Sequence, residues 1–111
     1  MIVGLDWDDT VTEYTTGFKK LVECATEIHI ITLNNTITEE YAKNILSFAN
    51  HLTVHVMPDE EMDTSLAYFG IGEWKANKCL EVGVDIMFDD MKVVVDSCIK
   101  VGVPAIQVQA R

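Results

Sequence analysis

Apolar and polar positions along this chain alternate between two periods. Residues 2–5 form a short apolar run that stops at a polar turn opened by Asp6. Phe18, Leu21, Val22 and Ala25 then recur at the spacing of one helix face. Residues 28–32 are a second strand-like run, followed by the turn formers Asn34 and Asn35. Behind Thr38, the positions Tyr41, Ala42, Ile45, Leu46 and Ala49 predict an amphipathic helix, with Glu39 and Glu40 suited to its positive N-terminal end. Residues 53–56 predict a third strand, ended by Pro58. A helix over 74–80, stopping near Gly83, leads into a fourth strand over 84–88. Met91, Val94, Val95, Cys98 and Ile99 mark a further helix face closed by Gly102, and residues 103–108 supply a fifth strand.

Strand–helix alternation of this kind predicts an α/β fold: a Rossmann-like parallel sheet of about five strands with helices on both faces. One domain over 1–111 accommodates the pattern. The irregular stretch is 57–73, long for a connection, whose Tyr68-Phe69-Gly70-Ile71-Gly72 portion reads as a loop packed on the domain or as a subunit contact.

Composition narrows the classes. Hydrophobic residues make up 49% and charged residues 23%, as in a folded soluble domain. No apolar run reaches the roughly 18 residues of a membrane span, and Asp6 interrupts the first apolar stretch too early for a signal peptide. Cys24, Cys79 and Cys98 match neither a zinc site nor a disulfide framework, which points to reduced core thiols and a cytoplasmic protein. A net charge of -10 disfavours nucleic acid and anionic membrane as partners.

The polar residues gather at the carboxyl ends of the predicted strands, where sites form in such sheets. Asp6, Trp7, Asp8, Asp9 and Thr10 end the first strand; Thr32, Leu33 and Asn34 end the second; Asp89 and Asp90 end the fourth. Two like charges about 4 Å apart repel by roughly 4 kcal/mol at an effective dielectric of about 20. A divalent cation among them removes that penalty, and an all-oxygen donor set suits Mg²⁺.

Asp6-Trp7-Asp8-Asp9-Thr10 behind an apolar strand resembles the first motif of the haloacid dehalogenase (HAD) superfamily, Asp-x-Asp-x-Thr. Ile28-His29-Ile30-Ile31-Thr32 is similar to the second motif, the helix carrying Lys75 and Lys78 to the third, and Ile86-Met87-Phe88-Asp89-Asp90 to the acidic fourth, in family order. Lys75 is better spaced than Lys78. The resemblance implies a small phosphatase with a three-layer HAD fold and no cap domain. It implies that Asp6 is the nucleophile, that Asp8 is the general acid and base, and that Thr32 and Lys75 are further catalytic groups. Thr32, Asn34 and Lys75 would bind phosphate, with backbone N–H groups after Asp6 and near Asn34 completing the cradle. Mg²⁺ would be held by Asp6, by the main-chain carbonyl of Asp8, and by Asp90 or Asp89. The fourth motif departs from the usual pattern, because residues 91–95 offer no later carboxylate.

Plainer roles exist for several of these residues. Asp89 and Asp90 suit the N-cap of the next helix, Asp9 and Thr10 suit a turn, and Lys78 suits a solvated helix face. His29, His51 and His55 form no ligand set, and Trp7 reads as sheet packing. The rival to an enzyme is a non-catalytic Mg²⁺-binding or phospho-acceptor module acting through a protein partner. With no room for a cap between Thr10 and the second strand, the expected substrate is a small or exposed phosphate, or a homo-oligomer covers the open site.

Overall fold

The structure, a computed structural model, describes residues 1–47, 51–59 and 67–109, with side chains from residue 70 onward in the last segment. The strands are β1 (Ile2–Leu5), β2 (Glu27–Thr32), β3 (Leu52–Val56), β4 (Ile86–Asp89) and β5 (Ala105–Gln107). Between them run helices α1 (Thr15–Val22), α2 (Glu39–Leu46), α3 (Ala67–Val82) and α4 (Lys92–Lys100). The five strands form one sheet in the order β3-β2-β1-β4-β5, and every pairing is parallel.

Side-chain alternation along the strands explains the burial. Val3, Leu5, Ile28 and Ile30 join Phe18 and Val22 of α1 and Ala42 and Leu46 of α2 in one apolar cluster. Ile31, next to Ile30 and so pointing to the opposite face, joins Met87, Cys79 of α3 and Cys98 of α4 in a second. Gly4 points to that second face because a Cβ there would lie 2.8 Å from the Met87 sulfur. The helix ends follow local chemistry. Thr38 caps α2 by accepting from the Tyr41 N–H at 3.1 Å. Gly83 and Gly102 take left-handed φ values of 75° and 89°, ending α3 and α4 with the paired backbone bonds of a glycine C-cap.

The chain leaves β1 toward β2 on one side and later crosses to β4 on the other. The direction of winding therefore reverses between β1 and β4, and a crevice opens there at the carboxyl ends of the strands.

Three expectations need correction. The expected irregular stretch 57–73 gives way to helix from Ala67 on, so Gly70, Ile71 and Gly72 are helical and Lys75 sits mid-helix rather than at a helix start; residues 60–66 lie outside the described residues. Of the two glycines that suggested a loop, Gly72 acts in packing: a Cβ there would lie 2.5 Å from the Ser97 Oγ and 2.8 Å from the Val93 carbonyl, so glycine lets α3 lie against α4, whereas at Gly70 nothing lies within 4 Å. Cys24 is exposed rather than a core thiol, whereas Cys79 and Cys98 are buried. The fourth strand begins at Ile86 and the fifth at Ala105, each two residues later than expected. Ala49, placed on α2 from the pattern, lies outside the described residues. Among the described residues no helix is long and apolar enough to cross a membrane.

Candidate active site

Strand β1 is flanked on both sides, and its end is pinned where the Asp6 N–H donates to the Phe88 carbonyl at 3.0 Å. Beyond Asp6 the chain makes a single wide turn, Trp7–Val11, closed by the Thr12 N–H on the Trp7 carbonyl at 3.2 Å. Asp8 is extended inside it, and Asp9 takes a left-handed φ of 62°. Aspartate tolerates that region better than most residues, and the Asp9 N–H is satisfied by the Thr12 Oγ1 at 2.9 Å. The turn sends Trp7 into the core, its ring 6.0 Å from that of Tyr41. It leaves Asp8 exposed and brings Thr10 back, so that the Thr10 hydroxyl donates to Asp6 Oδ2 at 3.3 Å.

From the other side comes Lys75, 1% exposed. Its Nζ donates to Asp6 Oδ1 at 2.9 Å and to Asp89 Oδ2 at 2.8 Å. The second oxygen of Asp89 accepts from the Met91 N–H at 2.9 Å at the start of α4. Asp89 thus clamps Lys75 and ties down the turn ahead of the next helix, whose N-cap residue is Met91 with no side-chain cap, so neither Asp89 nor Asp90 caps it. Lys78, one turn on, pairs with Glu81 at 2.9 Å and sits over the Trp74 ring, away from Asp6.

Asp90 completes the group. Carboxylate oxygens of Asp6, Asp89 and Asp90 lie within 4.8 Å of one another. Three carboxylates thus crowd around one ammonium, Asp6 and Asp89 buried and Asp90 half-buried. Burial pushes the Asp6 carboxyl up to about 7, against the pull of Lys75 and helped by Asp89 and by a hydrogen bond with Asp90. Burial likewise raises Asp89 despite Lys75. Burial works to lower Lys75, but Asp6 and Asp89 outweigh it and raise its pKa. Lys75 is therefore held in its charged form, and with all three carboxylates ionised the cluster would be short of positive charge, with oxygen atoms set around the deficit. Asp90, with neither oxygen held by Lys75, is better placed than Asp89 to meet a cation.

Thr32, buried at the end of β2, accepts the Asn34 N–H on its Oγ1 at 3.0 Å, which leaves its own hydrogen to donate into the crevice. The expected phosphate-cradling N–H of Asn34 is therefore already engaged by Thr32. The Asn34 side chain is engaged too, through Nδ2 on Asp8 Oδ2 at 3.1 Å. Asp6, Asp8, Thr32, Lys75, Asp90 and Met91 line a recess of about 130 Å³, open to solvent. A larger depression of about 370 Å³ beside α1 and β5 is lined by apolar groups such as Phe18, Leu21 and Ile106, and offers nothing for chemistry.

The structure thus gathers Asp6, Asp8, Thr32, Asn34, Lys75, Asp89 and Asp90 around one crevice. It adds Thr10, for which a turn was the plainer reading; its signal was its place as the closing Thr of the Asp-x-Asp-x-Thr pattern. It also pairs His29 and His55 across β2 and β3, Nδ1 to Nε2 at 2.9 Å, with His29 Nε2 3.3 Å from Glu27. That contact needs the strand register and has no signature in the sequence.

Chemically, the arrangement presents a buried carboxylate held by an ammonium and a hydroxyl, a second carboxylate at the mouth, and oxygen donors for a cation. No protein-family model matches the chain, and no match was found among curated proteins or solved structures.

Proposed function

We propose that this chain is a Mg²⁺-dependent phosphomonoester hydrolase of HAD type, with a three-layer capless core, acting through an aspartyl-phosphate on Asp6. The observation that carries the reading is the placement of Asp6 at the β1/β4 reversal, bonded to Lys75 and Thr10, with Asp8 opening onto the same recess.

In the first step an Asp6 oxygen attacks phosphorus while the bond to the leaving oxygen breaks, and Asp8 gives that oxygen its proton. In the second step Asp8, now a carboxylate, takes a proton from water. The water oxygen bonds to phosphorus, the acyl phosphate breaks, and inorganic phosphate leaves with Asp6 restored. Lys75 offsets the charge on Asp6 and on the phosphoryl oxygens, and Thr32 donates to one of them. Asp6, Asp90 and the Asp8 carbonyl would hold Mg²⁺; Asp89 serves by fixing Lys75. The donor set fits, being all oxygen and short of positive charge. When bound, the ion supplies charge neutralisation for carboxylates and phosphate alike.

The open recess suits a small or exposed phosphorylated group, and the acidic chain makes nucleic acid a poor partner. A homo-oligomer covering the site and a cytoplasmic setting belong to the same reading. The rival, a phospho-acceptor module with no turnover, gives Asp8 no task, yet Asp8 lines the recess and is held in place by hydrogen bonds.

The test is hydrolysis of an aryl phosphate with and without Mg²⁺, with Asp6→Asn as control. Metal-dependent release of phosphate that disappears in the variant is expected. Undiminished activity in Asp6→Asn sinks the mechanism, and a stable phospho-aspartate without hydrolysis favours the rival.

A further inference from the structure

Asp8 is exposed and sits at an extended position of the turn, where an exposed side chain is free to swing unless something holds it. A proton donor with that freedom would spend little time facing a leaving group. Its carboxylate is instead met by the Asn34 amide, with Nδ2 at 3.1 Å from Oδ2 and 3.4 Å from Oδ1.

The amide itself is not free to turn. Its Oδ1 accepts from the Thr36 N–H at 2.9 Å and from the Thr36 hydroxyl at 2.5 Å. The Thr36 N–H can only donate, so Oδ1 must face Thr36, and the NH₂ group must then face Asp8. The backbone N–H of Asn34 is held as well, by Thr32 at 3.0 Å. One residue thus links the end of β2, the loop after it and the side chain at the mouth of the recess.

Building on the phosphatase reading, we propose that Asn34 is a positioning residue for Asp8 rather than a ligand for phosphate. Its amide fixes the Asp8 carboxyl toward the leaving oxygen, and Thr36 fixes the amide. The idea differs from a phosphate cradle in what its loss should do. Protonation of the leaving oxygen matters greatly for a poor leaving group such as an alkoxide and little for a good one such as a nitrophenolate. A phosphate ligand contributes equally to both.

The experiment compares kcat/KM of wild type and Asn34→Ala, in Mg²⁺, on p-nitrophenyl phosphate and on glycerol 2-phosphate, with inhibition by inorganic phosphate measured in parallel. The expected loss is about 100-fold on the alkyl ester and under about 10-fold on the aryl ester, with phosphate inhibition unchanged. Thr36→Val, which keeps the backbone donor, should show the same bias at smaller size. In an Asp8→Asn background the Asn34→Ala loss should vanish, because the two residues act as one unit. Equal losses on both esters overturn the proposal; if phosphate inhibition weakens as well, Asn34 is a phosphate ligand. A wild type active on the aryl ester and dead in Asp6→Asn secures the phosphatase reading independently of Asn34. A wild type inert toward both esters overturns that reading, and the positioning role falls with it.

Discussion

The Nζ of Lys75 lies 2.9 Å from Oδ1 of Asp6, across 69 positions of sequence, and 2.8 Å from Asp89 on its other side. All three side chains are buried, so each is tolerable only because of the others. Replacing Lys75 by Met keeps the length and removes the charge. Removing one partner of a buried pair typically costs about 3–5 kcal/mol, because the remaining charges are stranded. Lys75→Met should therefore melt far below wild type at neutral pH and recover part of the loss in acid, where Asp6 and Asp89 take up protons. Turnover should fall by about 100-fold or more. A neutral-pH melting curve like that of the wild type would show that the triad carries no such stress.

The Asp6 carboxyl gives the metal-free protein a pH dependence of stability. Its folded-state pKa of about 7 lies above the ordinary 3.8, so between these values the folded state binds more protons than the unfolded chain. Stability from this group is complete below about 3.8 and is lost as pH rises through about 7. Melting temperatures of the metal-free protein should fall over that window. Asp6→Asn should flatten the slope, and Mg²⁺ should raise the melting temperature most at its alkaline end. His55 acts in the opposite sense: burial first, then His29, lowers its pKa below 6.5, so its contribution is lost as pH falls. An Asp6→Asn chain should thus still lose stability in acid, and adding His55→Asn should lessen that loss. The check is calorimetry of the three chains across pH.

Asp89 and Asp90 should separate on mutation although they are adjacent. Asp89 has one oxygen on Lys75 and the other on the Met91 N–H, and is fully buried. Asp89→Asn should lower stability markedly. Asp90 carries neither bond, so Asp90→Asn should melt near wild type while the Mg²⁺ concentration for half-maximal activity rises at least about tenfold. Titration calorimetry with Mg²⁺ and thermal melts on both variants decide the point; the reverse pattern would make Asp89 the ligand.

The two glycines at the start of α3 should respond in opposite ways to alanine. At Gly72 a Cβ meets the Val93 carbonyl at 2.8 Å, so Gly72→Ala must push α4 away and should cost about 1–3 kcal/mol. At Gly70 nothing lies within 4 Å, and Gly70→Ala should stabilise by up to about 1 kcal/mol through helix propensity. Because α3 carries Lys75, Gly72→Ala should also reduce kcat while Gly70→Ala leaves it unchanged. Urea melts of the two variants, with kcat measured alongside, check both signs.

Much of this protein is written in local pattern. Short continuous apolar runs mark the central strands, because β1 and β2 are buried on both faces, and apolar positions at period 3.6 mark α1, α2 and α4, because an amphipathic helix needs one apolar face. Gly83 and Gly102 announce helix ends because the backbone must turn left-handed there. The crowding of Asp6, Asp8, Thr32, Asp89 and Asp90 behind apolar runs is legible too, because a parallel sheet brings the carboxyl ends of its strands to one rim. What local pattern misread is α3, where Gly70 and Gly72 resemble loop breakers. The reason for Gly72 is the approach of α4, which no window of neighbouring residues contains. The preference for Lys75 over Lys78 came from motif spacing, but the split between Asp89 and Asp90, the Asn34 bridge to Asp8 and the His29–His55 pair are likewise tertiary. Each depends on which way a side chain points once the strands are in register, and a difference of one position in a strand or three in a helix sends it elsewhere.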